Sequence, residues 1–132
     1  MAGQYRTSTD LITEALANIG VLSAGQPPDV EDFNYVSEKL DAIFRYVSAV
    51  LEIVSFPDPN NIPGVFFAPL ADIVAGECAL KFGVTDNDFV RLKNNGLGGA
   101  AGVDVGAGTA AKALKILMRN RSTGETLQTE YL

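Results

Sequence analysis

The chain contains no histidine, no tryptophan and only one cysteine. Without histidine the usual general base near neutral pH is missing, and with it the Ser-His-Asp and Cys-His relays and most transition-metal sites. The lone Cys78 cannot close an intramolecular disulfide. It falls within an apolar helical pattern, where a thiol behaves as a small hydrophobe, and no cation or helix start marks it as a reactive thiolate. Positive charge is also scarce. Ten Lys and Arg against 16 Asp and Glu give a net charge of −6, and the bases form no run, so no field exists to hold a phosphate backbone. No apolar run approaches the ~20 residues that span a bilayer, and residues 1–7 lack a basic stretch followed by an apolar block. The expectation is a soluble protein made in the cytoplasm, with no membrane partner.

What is present suits one domain: 132 residues, 47% of them hydrophobic, with no repeat that would signal a solenoid. Thr7 and Asp10 have capping-box spacing, and Leu11, Ile12, Ala15, Leu16 and Ile19 follow on one helical stripe until Gly20 stops it. Val21 to Pro28 is a connector interrupted by Gly25 and the proline pair. A second helix starts near Asp29, with Asp32 three residues on, and carries an apolar stripe from Phe33 to Val54, about seven turns. It is the longest element and the expected spine. Four prolines and a glycine between Phe56 and Pro69 read as an extended, partly apolar arm, with Val65-Phe66-Phe67 its one strand-like piece. A third helix then follows Pro69, with Leu70, Ile73, Val74, Cys78, Leu80 and Phe82 inward and Gly83 as its stop. Asp86 to Asn95 reads as a short fourth helix with Phe89, Val90 and Leu92 inward. Gly96 to Gly108 is a glycine-rich loop, too apolar for a solvated linker and too glycine-rich for a helix. Thr109 to Asn120 is a last helix, with Ala110, Ala113, Leu114 and Leu117 on one side and basic residues weighting its end. The fold class is mainly α: a bundle of four to five helices with a proline-rich extended arm, a glycine-rich loop and an extended C-terminal tail. Residues 1–121 form the domain and 122–132 the tail.

Each sign of chemistry has a plainer reading. Val103-Asp104-Val105-Gly106-Ala107-Gly108-Thr109 resembles a dinucleotide-binding turn, but such a site needs a βαβ unit and an acid about 20 residues later, and only the tail follows. Asp86-Asn87-Asp88 lacks the glycine and distal glutamate of a calcium loop and suits a helix N-terminus. Glu38 with Asp41, and Glu31 with Asp32, have the composition of carboxylate catalysis but also of a solvated helix face. No catalytic, cofactor or metal residue is assigned, and the expectation is a non-enzyme. Phe66 and Phe67, adjacent in a loop, cannot easily both face inward; core filling and partner contact both stay open. Leu127, Tyr131 and Leu132 belong either to a disordered tail or to one that orders on a neighbour.

Read as one block, Thr7-Ser8-Thr9-Asp10-Leu11-Ile12-Thr13-Glu14-Ala15-Leu16, then Gly20-Val21-Leu22, Ala24-Gly25-Gln26-Pro27 and the acid-capped helix through Leu40, resembles the tailed-bacteriophage head-to-tail connector proteins. These are the neck adaptors that include packaged-DNA stabilisation proteins. The helices around Ala75, Glu77, Ala79 and Phe82-Gly83 and from Thr109 to Asn120 are similar in order and spacing. The chain departs from the pattern in lacking a tryptophan near the end of the second helix and in its long glycine-rich stretch. The resemblance implies a structural virion protein, a homo-oligomer in a dodecameric ring that docks under the portal protein at the neck and binds downstream tail or nozzle proteins. It implies assembly in the host cytoplasm and packaged DNA passing through without sequence-specific binding, which an acidic channel wall suits. It also implies partner contacts for Phe66, Phe67, Leu127, Tyr131 and Leu132. The competing expectations are a small helical regulatory or protein-binding module and a carboxylate-based cell-wall hydrolase.

Overall fold

The computed structural model describes residues 5–22, 26–53 and 56–118. It is mainly helical. The two-residue strand β1 (Tyr5–Arg6) leads into α1 (Ser8–Ile19), and α2 (Val30–Leu51) follows. Strand β2 (Ile62–Pro63) runs directly into α3 (Gly64–Cys78), which tightens into a 3₁₀ turn (Ala79–Phe82) before α4 (Asp86–Asn95). Residues 109–118 form α5.

Helix α1 begins and ends as its sequence dictates. The Asp10 amide donates to Thr7 Oγ1 at 3.2 Å and the Thr7 amide donates to Asp10 Oδ2 at 3.3 Å, closing the capping box. At the other end Gly20, with φ 98°, lets its own amide and that of Val21 reach back to the Leu16 carbonyl. All five stripe residues from Leu11 to Ile19 are buried. Thr7→Ala removes the cap acceptor and is expected to cost about 1 kcal/mol, read as a fall of a few degrees in melting temperature.

Helix α3, not the longer α2, is the spine. Phe66, Phe67, Leu70, Ala71, Ile73, Val74, Ala75, Gly76 and Cys78 are all buried, so it is apolar on nearly every side, as a helix surrounded by others must be. It packs against α1, α2, α4 and both strands. Helix α2 buries one stripe, Val36, Leu40, Phe44, Val47 and Leu51, with Phe33, Tyr35, Ile43 and Val50 partly buried beside it, and leaves its opposite face in solvent. The crossing of α3 and α4 is backbone-close: a Cβ on Gly76 would sit 2.7 Å from the Leu92 carbonyl oxygen.

The Phe56–Pro69 region corrects the extended-arm expectation. Its second part is helix, with Pro69 the sixth residue of α3. The amide that Pro69 lacks is the one that would reach the Val65 carbonyl, a loss of up to about 3 kcal/mol. Burying Phe66 and Phe67 returns roughly 3–6 kcal/mol, so the extra turn forms. The strand-like piece is Ile62–Pro63 instead, paired antiparallel with Tyr5–Arg6. Leu80, expected inward, is 70% exposed: it lies in the 3₁₀ turn beyond the end of α3, where Ala79 alone of the four residues is buried.

The Gly96–Gly108 loop is closely packed. Leu97 is fully buried, and its carbonyl accepts from the amides of Gly106 at 2.7 Å and Gly108 at 3.2 Å. The loop thereby folds over its own start and delivers the chain to α5, whose Ala110, Ala111, Leu114 and Met118 join the core.

Candidate interaction surfaces

Phe66 and Phe67, expected at a partner contact, lie inside the core at 2% and 7% exposure. The Arg6 guanidinium stacks over the Phe67 ring, 3.9 Å from its centroid, while Arg6 Nε sits 3.5 Å from Asp10 Oδ2. Phe67 thereby fastens β1 to α3, and both rings lie within the fold rather than on an exposed arm. Leu127, Tyr131 and Leu132 lie outside the described residues.

The candidate chemical motifs resolve into local structure. Gly106 and Gly108, the amides a dinucleotide turn would aim at a pyrophosphate, donate to Leu97. Asp88, in the acidic triplet, has its amide capped by Thr85 Oγ1 at 3.1 Å and its carboxylate 3.4 Å from Arg91. Asp41 pairs with Arg45 at 3.0 Å on an open helix face, and Glu38 is exposed beside it. Among the described residues no group of three or more Cys, Asp or Glu is gathered so as to hold a metal ion, and no helix is long and apolar enough to cross a membrane.

Two polar contacts sit partly within the fold. Lys93 Nζ meets Glu77 Oε2 at 2.8 Å, tying α4 to α3, with both side chains under a fifth exposed. Asn18 Nδ2 donates to Asp72 Oδ1 at 3.1 Å, tying α1 to α3. Burial, and then the neighbouring Glu14, hold the Asp72 carboxyl above its ordinary range. The folded state thus binds this proton more tightly than the unfolded chain. Its contribution favours the fold in acid and is lost as pH rises through the raised folded value. Asp72→Asn keeps an acceptor for Asn18 and removes the titration. Its stability relative to wild type, from urea midpoints, is expected to be more favourable at neutral pH than near about pH 3. The Cys78 thiol is pushed up to about 11 by burial and by Glu77, with Lys39 opposing, and is therefore protonated and unreactive at neutral pH.

Two surface features remain. A shallow groove of about 340 Å³ runs along α2, lined by Asp41, Phe44, Arg45, Ser48 and Ala49 and by Phe56, Pro57 and Pro59. At the other end of α2, Lys39 and Lys81 bring their ammonium groups to 5.6 and 5.3 Å from the centroid of the Tyr35 ring, which Phe82 meets edge-on at 5.9 Å. Sequence reasoning missed this cluster. Tyr35 and Lys39 are one turn apart on α2 and were legible as neighbours. Lys81 joins them only through the packing of the 3₁₀ turn. Comparison with protein-family models, with curated proteins and with solved structures finds no match to this chain.

Proposed function

We propose that the protein is a structural assembly subunit: a head-to-tail adaptor of a tailed bacteriophage, located in the virion neck. There it forms a ring beneath the portal, links the capsid vertex to the tail and lines the DNA channel. The observation that carries the reading is the block from Thr7 to Leu40. The residues that resemble the connector proteins build a helix closed by its capping box, a glycine-ended turn and then a long helix with Glu31 and Asp32 in its first turn. Helix α2 supports it further, since its buried stripe leaves an exposed face that includes Asn34, Ser37, Glu38, Asp41, Arg45 and Ala49, area a heterologous ring contact can use. The net charge of −6 suits a wall past which DNA slides.

The test is native mass spectrometry of the purified chain, alone and then mixed with the portal protein of its own genome. A stoichiometric complex matching portal symmetry is the expected result. A small particle unchanged by portal would remove the adaptor reading and favour a helical protein-binding module.

A further inference from the structure

Of the asparagines in the chain only Asn95 is followed by glycine. That pair carries its own chemistry. The backbone nitrogen after an asparagine can attack the side-chain carbonyl and close a five-membered imide, and the side-chain nitrogen leaves as ammonia with the displaced N–H proton. Glycine, with no Cβ in the way, gives the attack its freest path. Water then opens the ring at either carbonyl. One product is aspartate in a normal chain. The other is β-linked, its backbone routed through the former side chain and one atom longer. Water is the only co-reactant.

The fold treats the two residues differently. Asn95 is the last residue of α4 and is exposed, whereas Gly96 is buried. The Gly96 amide, which is the nucleophile, donates to the Leu92 carbonyl at 3.1 Å and to the Lys93 carbonyl at 3.2 Å. The Gly96 carbonyl accepts from the Ala111 amide at 3.1 Å, which ties it to α5. Behind its Cα stands α3: a Cβ there would lie 2.7 Å from the Asp72 carbonyl oxygen and 3.0 Å from Ile73 Cα. Attack requires the amide to give up its proton and swing toward the Asn95 side chain, out of the helical geometry that holds it. Gly96 is fixed through its nitrogen, its Cα and its carbonyl, so neither movement fits the closed structure.

We propose that Asn95 is a self-modification site kept shut by the junction of α3, α4 and α5. It reacts only when the end of α4 opens, and the β-linked product then prevents the junction from closing again. The first half follows from the held nucleophile. The second follows from length, because an extra backbone atom ahead of Gly96 has no room where its amide, Cα and carbonyl each meet backbone of another turn or helix. The normally linked product alters only an exposed side chain and refolds. Opening of this junction is therefore reversible at first and becomes permanent through chemistry at one residue. The inference is independent of the assembly reading above.

Peptide mapping by mass spectrometry follows conversion of Asn95 in the folded chain and in urea above the unfolding midpoint, at one pH and temperature. The folded chain is expected to react at least about tenfold more slowly. Thr85→Ala removes the side-chain cap of α4 and should speed conversion in the folded chain roughly fivefold. Chain converted in urea is then returned to buffer, and compact and non-native fractions are separated by size-exclusion chromatography. Fragmentation that distinguishes the two linkages is expected to find the normal aspartate in the compact fraction and the β-linked chain in the other. Asn95→Asp, made directly, is the folded control for the added charge, checked by circular dichroism. Equal rates in folded and unfolded chain, a Thr85→Ala rate like that of wild type, another asparagine converting first in urea, or β-linked chain in the compact fraction in proportion to its yield would each overturn the proposal.

Discussion

Gly98→Ala is expected to destabilise the protein by about 3 kcal/mol or more, a large share of the margin of a domain this size. Two causes act together. The residue has φ 96°, where a side chain is strained, and a new Cβ would overlap the Asp104 carbonyl oxygen and lie 2.9 Å from the Gly108 nitrogen. Both neighbours are backbone atoms, held by the amides that Gly106 and Gly108 donate to Leu97, so neither can step aside without opening the loop. Gly102 is the matched control. It has φ 84° with nothing within 4 Å of an added methyl, so Gly102→Ala should cost only about 1–2 kcal/mol. Urea denaturation of the two variants separates the terms: equal losses would mean that the close crossing at Gly98 is absent.

Phe66→Ala is expected to cost about 3–5 kcal/mol, because the ring is 2% exposed in the centre of the core and its removal leaves a cavity. The same substitution decides between two meanings of the Phe66-Phe67 pair. Were the pair an exposed contact on an arm, truncation would leave the melting temperature within about a degree of wild type and weaken only assembly. Burial instead demands a drop of roughly ten degrees for a domain of this length. Phe67→Ala should also release Arg6, whose guanidinium rests on that ring.

The sequence was most legible where a local rule settles a local question. The capping box at Thr7 and Asp10, the glycine stop at Gly20 and the limits of α4 at Asp86 and Asn95 all stand as read. These depend on hydrogen bonds within a few residues. Legibility failed where long-range packing decides. Helix α3 is apolar on almost every side, so it lacks the one-sided periodicity that marks a surface helix, and Pro69 looked like a boundary although buried phenylalanines carry the helix back to Gly64. The second helix read as the spine because it is long, yet length says nothing about how many faces are covered. The loop from Gly96 to Gly108 was recognisable by composition but not by shape, since its order comes from Leu97 entering the core. Of the candidate contact residues, Phe66 and Phe67 proved internal. The Tyr35 cluster needed Lys81 brought from another element, which no spacing rule reveals.

The central position of α3 also sets how the molecule comes apart. Its amides are shielded by α1, α2, α4 and the strand pair at once, so no single element can peel away and expose them all. Proton exchange along α3 therefore proceeds through opening of the whole domain, while α2, covered on one side, can loosen at a lower free energy. The helix free to loosen and the helix that holds the domain together are thus different parts of the chain, and α2 can move without opening the framework that carries it.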